Sequence, residues 1–144
     1  MIVMGIDPGS NTGAALYRDG ELRALRTIAP VEIHALILKL VPDVVVFEDS
    51  RLQSRVWTGN KLRPGAASKV ARDVGRIDAW CDLIEAVCKP LRISCHGVSP
   101  KGKGSKLDAD QFRQVTGWVG RSNQHERDGA MVAWPYRRAL HVQK

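Results

Sequence analysis

Apolar runs of strand length dominate the first third of the chain. Residues 1–7 form one such run, and residues 13–17 and 22–28 form two more. An Asp-Gly pair at residues 19–20 separates the second run from the third, as in a two-residue hairpin. A fourth run, over residues 43–48, is short and rich in valine, which is typical of a central strand buried on both faces. The pattern therefore predicts antiparallel strands followed by a buried central strand.

Helical periodicity takes over after residue 29. Pro30 opens a first helix, which Pro42 ends. The longest helix is expected over residues 67–88, and shorter helices over residues 108–116 and 123–134. In the longest helix, apolar side chains recur at alternating steps of four and three and form one seam: Val70, Val74, Ile77, Cys81, Ile84 and Cys88. A wide face packed on the sheet and a contact with a second subunit explain this seam equally well.

The connecting segments complete the predicted domain. Residues 51–66 lack periodicity and contain glycine and proline, so we expect a long loop of the kind that is often functional. A fifth strand is expected over residues 91–96, followed by a basic, glycine-rich loop over residues 99–106. This order of elements predicts a single α/β domain over residues 1–144. Its five-stranded mixed sheet, with the first three strands antiparallel, would be flanked by helices.

The composition is that of an ordinary globular protein, with 44% hydrophobic and 26% charged residues. No apolar run approaches the length of a membrane span, and the N-terminus lacks a basic region followed by a long apolar stretch. We therefore expect a cytoplasmic protein without a membrane partner. Cys81, Cys88 and Cys95 lack the spacing of a zinc site, which favours reduced thiols in the core.

Positive charge is concentrated in one block. The chain carries a net charge of +7, and residues 51–76 hold seven basic side chains against the single acidic residue Asp73. Residues 1–50, in contrast, hold four basic and seven acidic side chains. A solvated loop that aids solubility would explain the block, but its concentration favours a polyanionic partner such as nucleic acid.

Four polar residues stand where a metal-dependent phosphodiesterase would need them. Asp7 ends the first apolar run, and Glu48 ends the fourth. His125 and Asp128 are three residues apart, so they project from one face of the last helix. A carboxylate at the tip of a buried strand is costly to desolvate, and three acids meeting at one point would repel one another. Divalent ions would neutralise them, so these residues predict a metal site.

Two Mg²⁺ ions about 4 Å apart, for which Mn²⁺ can substitute, would suffice to hydrolyse a phosphodiester. Asp7 would bridge both ions, and Glu48 and Asp128 would complete their coordination. His125 would either bind a metal or carry protons, since its pKa lies near working pH. Simpler roles exist for two of these residues: an Asp before Pro-Gly is often a turn former, and Asp128 would suit the positive end of a helix dipole.

The glycines after Asp7 admit another chemistry. A strand followed by Asp-x-Gly-x-x-x-Gly can cradle nucleotide phosphates with backbone N–H groups, as in actin-like and sugar-kinase ATPases. Those enzymes need a second lobe, for which 144 residues leave no room. A third alternative is a binding module that recognises structured nucleic acid without cutting it. The acidic residues argue against this module, because unneeded carboxylates oppose nucleic-acid binding.

Three segments together resemble the RuvC-type Holliday junction resolvases of the ribonuclease-H-like superfamily, and compact bacteriophage members above all. They are residues 5–13 (Gly-Ile-Asp-Pro-Gly-Ser-Asn-Thr-Gly), the strand that ends at Glu48, and residues 125–130 (His-Glu-Arg-Asp-Gly-Ala). The resemblance implies a ribonuclease-H-like fold and a homodimer that binds four-way DNA junctions in a bacterial or phage-infected bacterial cell. It also implies a crossover junction endodeoxyribonuclease that makes paired symmetric nicks and leaves 5′-phosphate ends. Asp7, Glu48 and Asp128 match the family's metal-binding carboxylates, and His125 matches a position that is Asp or His.

The resemblance also suggests which residues contact DNA. In the family, an aromatic side chain after the Glu48 strand stacks at the junction centre, and Trp57 would either do so or pack back on the domain. The basic residues expected at the DNA in this region are Arg51, Arg55, Lys61 and Arg63. Those of the glycine-rich loop are Lys101, Lys103 and Lys106. The long helix matches the family's subunit contact, which favours the homodimer.

Overall fold

The computed structural model describes residues 1–53, 65–102 and 104–138. In these ranges, five strands form one sheet: β1 (Ile2–Asp7), β2 (Thr12–Arg18), β3 (Glu21–Ile28), β4 (Val44–Glu48) and β5 (Ser94–Val98). The α-helices are α1 (Ile33–Leu40), α2 (Ala66–Cys88), α3 (Ala109–Thr116) and α4 (Gln124–Ala133). Single 3₁₀ turns lie at Pro30–Glu32, Ser50–Leu52, Pro100–Gly102 and Trp134–Tyr136. Over the described ranges, no helix has both the length and the apolar character needed to cross a membrane.

The sheet has the strand order β3-β2-β1-β4-β5. β1, β2 and β3 pair antiparallel, whereas β4 is parallel to both β1 and β5. Asp19 and Gly20 join β2 to β3 with φ of 52° and 85°, and a two-residue type I′ turn requires positive φ at both positions. The predicted five-stranded mixed sheet with three antiparallel strands and flanking helices is confirmed.

Each face of the sheet has its own apolar core, because alternate side chains of a strand point to opposite faces. Met4 and Ile6 of β1 pack toward α1 and α2, together with side chains of those helices. Val3 and the β4 residues Val44 and Val46 pack toward α4, with Phe112 of α3 joining them. The two acidic strand ends therefore lie between two separately packed layers of helices.

α4 contacts the sheet at positions where only glycine fits. A Cβ atom on Gly5 would lie 2.1 Å from the Gly129 carbonyl oxygen and 2.8 Å from the Ala133 Cβ. A Cβ on Gly13 would lie 1.7 Å from the His125 carbonyl oxygen. The backbone of α4 thus rests directly on β1 and β2, and this contact sets the height of the helix above the sheet.

Two elements differ from the sequence expectation. β5 begins at Ser94, three residues later than predicted, because the chain after α2 makes a tight turn first. In this turn the Ile93 N–H donates to the Cys88 carbonyl at 3.1 Å, and Arg92 has a φ of 55°. The apolar seam of α2 is buried only in its C-terminal half, whereas Val70 is 41% exposed.

Tyr17 fastens α4 to β2 through a buried hydrogen bond. Its hydroxyl donates to the Ala130 carbonyl oxygen at 2.7 Å, and its side chain is buried beside Trp134. Burial raises the pKa of Tyr17 above its ordinary value of 10.0, although the nearby Arg137 charge opposes this shift. The neutral phenol is therefore the form that the fold stabilises.

Gly5→Ala is expected to lower the free energy of unfolding by about 1–3 kcal/mol, because the added methyl group overpacks the β1–α4 contact. Urea unfolding followed by circular dichroism measures this change. Gly75→Ala is the matched control, since a Cβ built there meets no atom within 4 Å apart from its chain neighbours and the backbone of its own helix. This control, inside α2, is expected to raise stability by about 0.5–1 kcal/mol. Equal effects of the two substitutions would contradict the packing described.

Tyr17→Phe is expected to lower the free energy of unfolding by about 1–2 kcal/mol at neutral pH, since the buried Ala130 carbonyl loses its donor. The variant also isolates a pH effect. A raised folded-state pKa stabilises the fold below pH 10.0, and this stabilisation is lost as the pH rises above that value. Unfolding measured between pH 8 and 11 should therefore show a steeper decline for the wild type than for the variant. Parallel curves would show that the phenol does not titrate this way.

Candidate active site

Asp7 and Glu48 lie side by side at the carboxyl ends of two adjacent parallel strands. The β1–β4 register pairs Ile6 with Phe47, so the next residues along the strands are Asp7 and Glu48. Both residues line one cavity of about 210 Å³, together with Ser50 and other residues. The structure therefore places Asp7 and Glu48 at neighbouring strand ends, as the sequence predicted.

Strand alternation assigns both acids to the α4 side of the sheet. Gly5, two residues before Asp7, faces the Gly129 carbonyl of α4. Val46, two residues before Glu48, belongs to the core beneath the same helix. Since residues two apart share a face, Asp7 and Glu48 belong to the α4 face of the sheet, at its edge, where Ile77 of α2 also lines the cavity that they share.

Asp128 lies in α4 as a buried carboxylate with polar neighbours. It is 4% exposed, and the Gln124 Nε2 donates to its Oδ1 at 2.8 Å. The Lys106 Nζ lies 3.4 Å from its Oδ2. Asp128 and Lys106 line a cavity of about 400 Å³, which is distinct from the cavity of Asp7 and Glu48. The ammonium group and the amide supply the compensation that a buried carboxylate requires.

His125 lies in the first turn of α4 and is exposed. Its carbonyl oxygen rests against Gly13, and Gly13 is the β2 partner of Asp7. The first turn of α4 therefore stands over the end of β1. Asn123 caps this helix by accepting from the Glu126 N–H at 2.9 Å, while Glu126 accepts from the Asn123 N–H at 3.0 Å.

The donor chemistry of the Asp7 and Glu48 cavity fits a hard divalent cation, because Mg²⁺ prefers carboxylate oxygen. Within residues 1–53, 65–102 and 104–138, no group of three His, Cys, Asp or Glu residues is arranged to hold a metal ion. Asp7 and Glu48 share one cavity, whereas Asp128 is held in the next by Lys106 and Gln124. The assignment of two metal ions to Asp7, Glu48, His125 and Asp128 stays a prediction.

The residues after Glu48 form an ionic cluster that the sequence interpretation missed. Arg51, which we expected at the DNA, pairs with Asp49, Asp82 and Glu85 and is 26% exposed, and its contact with DNA stays a prediction. The Arg51 hydrogen bonds hold the pKa of Asp49 below its usual range, and Asp49 in turn raises the pKa of Arg51. Asp82 and Glu85 are three residues apart in α2, so both project from one face of that helix. This acidic pair and the Asp49-x-Arg51 segment were the features from which the cluster could have been predicted.

The other residues expected at the DNA have different outcomes. Lys101 is exposed on a 3₁₀ turn after β5, and Lys106 lies beside Asp128. The remaining ones lie outside the described residues: Arg55, Trp57, Lys61, Arg63 and Lys103. Contact with DNA stays a prediction for all of these side chains.

Comparison with known proteins identifies the fold. No protein-family model matches the chain, and no curated protein matches it. Among solved structures, "T. thermophilus RuvC in complex with Holliday junction substrate" is similar, with a TM-score of 0.62 and 17% identity over 93% of this chain and 90% of that chain. "Thermus thermophilus RuvC structure" is similar too, with a TM-score of 0.62 and 17% identity over 93% of this chain and 92% of that chain. The chain thus has the ribonuclease-H-like fold of RuvC, and the predicted likeness is confirmed at that level.

Proposed function

We propose that this protein is a metal-dependent endonuclease that resolves four-way DNA junctions by paired symmetric nicks. One observation carries the proposal: Asp7 and Glu48 share a cavity at the carboxyl ends of adjacent parallel strands, in a chain with the fold of RuvC. The RuvC structure in complex with a Holliday junction substrate supports branched DNA as the substrate class.

Each residue of the site has a proposed role. Asp7 and Glu48 would hold Mg²⁺ or Mn²⁺, with Asp128 as a further ligand. Two such ions supply an activated water and stabilise the charge on the transferring phosphoryl group. His125, exposed in the first turn of α4, would bind a metal or carry protons. Lys106, whose ammonium group lies beside Asp128, would also attract the scissile phosphate into the site.

Two basic side chains line a second cavity beside the acidic one, and Ile77 of α2 lines both cavities. Lys69 and Arg76 line this second cavity of about 350 Å³ together with Ser10, Trp80 and Asp73, and Asp73 forms an ion pair with Arg76. Ser10 belongs to the turn that follows Asp7, so this cationic surface adjoins the strand end. Phosphate contacts from such a surface would hold the DNA backbone beside the acids.

The proposal includes a homodimer, because two symmetric nicks require two active sites. The N-terminal half of α2 offers a contact surface, since its apolar seam continues to Val70, which is 41% exposed in the single chain. A second copy would bury the exposed part of this seam, and the coiled-coil-like spacing of the seam suits such packing between two helices.

Asp7→Asn is expected to reduce cleavage of a four-way junction by about 100-fold or more, because metal coordination contributes several kcal/mol to the transition state. Junction affinity should persist, since it depends mainly on the basic surface. A labelled junction incubated with and without Mg²⁺ gives the rate, and a gel-shift titration gives the affinity.

Asp19→Asn is the matched control for this experiment. Asp19 lies in the β2–β3 hairpin, where its side chain is 78% exposed and pairs with the N-terminus at the opposite end of β1. The positive φ of 52° at this position suits Asn. This control should cleave as the wild type does. Full activity of Asp7→Asn would refute the metal role, and binding without cleavage by the wild type would instead indicate a non-cleaving junction-binding protein.

Trp57→Ala is expected to weaken binding to a four-way junction more than binding to linear duplex. Stacking of a base on an aromatic ring contributes about 1–3 kcal/mol, and unstacked bases are available at the branch. Fluorescence anisotropy with both substrates at one salt concentration compares the two losses. Equal losses on junction and duplex would assign Trp57 to packing within the protein.

A further inference from the structure

Consecutive residues at the end of β4 are each fastened to a neighbouring element. The Glu48 carbonyl oxygen accepts from the Cys81 thiol of α2 at 3.6 Å. The Asp49 N–H donates to the Val98 carbonyl oxygen of β5 at 2.8 Å. The Ser50 hydroxyl donates to Asp78 Oδ1 of α2 at 2.7 Å. The backbone that carries the Glu48 side chain is thus held from both α2 and β5.

Arg51 closes this set of contacts through its whole guanidinium group. Its Nε and Nη2 donate to the two carboxylate oxygens of Asp49, each at 2.8 Å. Its Nη1 donates to Asp82 Oδ1 at 2.6 Å, and its Nη2 also contacts Glu85. The planar fork of arginine matches the bidentate carboxylate geometry, which the point charge of lysine does not.

The surroundings of Asp49 show that this arrangement is built into the fold. Asp49 is 4% exposed, and a Cβ on Gly97 of β5 would lie 2.6 Å from its Oδ2. The missing side chain at Gly97 therefore leaves the space that the Asp49 carboxylate occupies. A carboxylate buried this deeply needs a permanent cation, and Arg51 supplies it.

Without the Arg51 charge, the Asp49 carboxylate would face Asp82 and Glu85 with no cation between them. Like charges at such distances repel, so the β4 end would move away from α2. Glu48 is the residue directly before Asp49, and any such movement would displace its carboxylate relative to Asp7.

We infer that Arg51 is a positioning residue, which holds the Glu48 carboxylate in register with Asp7 by clamping Asp49 to Asp82 and Glu85 of α2. This inference rests on the proposed function, because it assumes that Glu48 binds the catalytic metal. It replaces the expectation that the Arg51 charge serves DNA binding.

Arg51→Ala separates the two roles of this side chain. We call the ion pairs of Arg51 with Asp49, Asp82 and Glu85 the clamp. If the clamp positions Glu48, the single-turnover cleavage rate at saturating junction should fall by about 10- to 100-fold, as is usual when the support of a metal ligand is removed. The clamp also predicts an unchanged dissociation constant and salt dependence for the junction. A phosphate contact predicts the opposite result: weaker binding, a salt slope reduced by about one, and an unchanged rate at saturation. That opposite result would overturn the inference.

Arg51→Lys and Arg23→Ala are the matched variants. Arg51→Lys keeps the charge but loses the fork, so it should recover only part of the rate. Arg23 forms a surface ion pair with Glu21 on the far strand β3, and Arg23→Ala should leave the rate and the affinity unchanged. Full recovery by Arg51→Lys would show that charge alone matters and would contradict the clamp.

Asp82→Ala keeps the test decisive if Arg51→Ala does not fold. Asp82 is 68% exposed, so its removal should leave the fold intact. The clamp predicts a slower cleavage rate with unchanged binding, whereas a DNA-contacting Arg51 freed from this partner predicts tighter binding with an unchanged rate.

Titration of the protein with Mn²⁺ alone gives a readout that does not depend on cleavage. Arg51→Ala should weaken Mn²⁺ binding by about 10- to 100-fold, while Arg23→Ala should bind Mn²⁺ as the wild type does. Wild-type protein that binds Mn²⁺ but leaves junctions uncut would refute the proposed function and still test the clamp. Equal Mn²⁺ affinity of Arg51→Ala and the wild type would refute the clamp alone.

Discussion

The direct backbone contact between α4 and the first two strands is the constraint on which the site geometry depends. Gly5 and Gly129 meet without intervening side chains, and Gly13 admits the His125 carbonyl in the same way. A helix held at this distance brings its first turn over the end of β1, where Asp7 lies. Larger residues at these positions would lift α4 from the sheet and carry Asp128 away from the strand ends. Small residues thus determine the placement of the charged ones.

Electrostatic compensation shapes the rest of the site. The protein is basic overall, with a net charge of +7, yet it gathers carboxylates at the ends of β1 and β4 and along α2. Arg51 offsets part of the negative charge of Asp49, Asp82 and Glu85, and Lys106 compensates Asp128. These internal pairs keep negative charge from spreading across the surface that would meet DNA phosphates. Such local compensation, together with the proposed metal ions at Asp7 and Glu48, would let an acidic centre lie against a polyanionic substrate.

The strand pattern made much of this architecture predictable from the sequence. β4 was recognisable because its short apolar run ends at Glu48, and the β2–β3 hairpin because Asp19 and Gly20 suit a turn that requires positive φ. Other features depend on tertiary contacts that leave no local signal. The late start of β5 results from a left-handed turn at Arg92, and the pairing of Arg51 with α2 joins residues more than thirty positions apart. The basic block and the family resemblance placed Arg51 at the DNA, because a sequence does not show which cations already have an anion beside them.

The position of the acids within the strand order has a consequence for divergence. Asp7 and Glu48 belong to β1 and β4, and each of these strands has another strand on both sides. The peripheral strands β3 and β5 pair with β2 and β4 through backbone hydrogen bonds, which most side chains permit, although Gly97 of β5 must stay small beside Asp49. Mutations can therefore replace most residues of the outer strands while Asp7, Glu48 and the glycines at the close backbone contacts are kept. Proteins descended from such a chain would keep a common fold long after their sequence identity had become low.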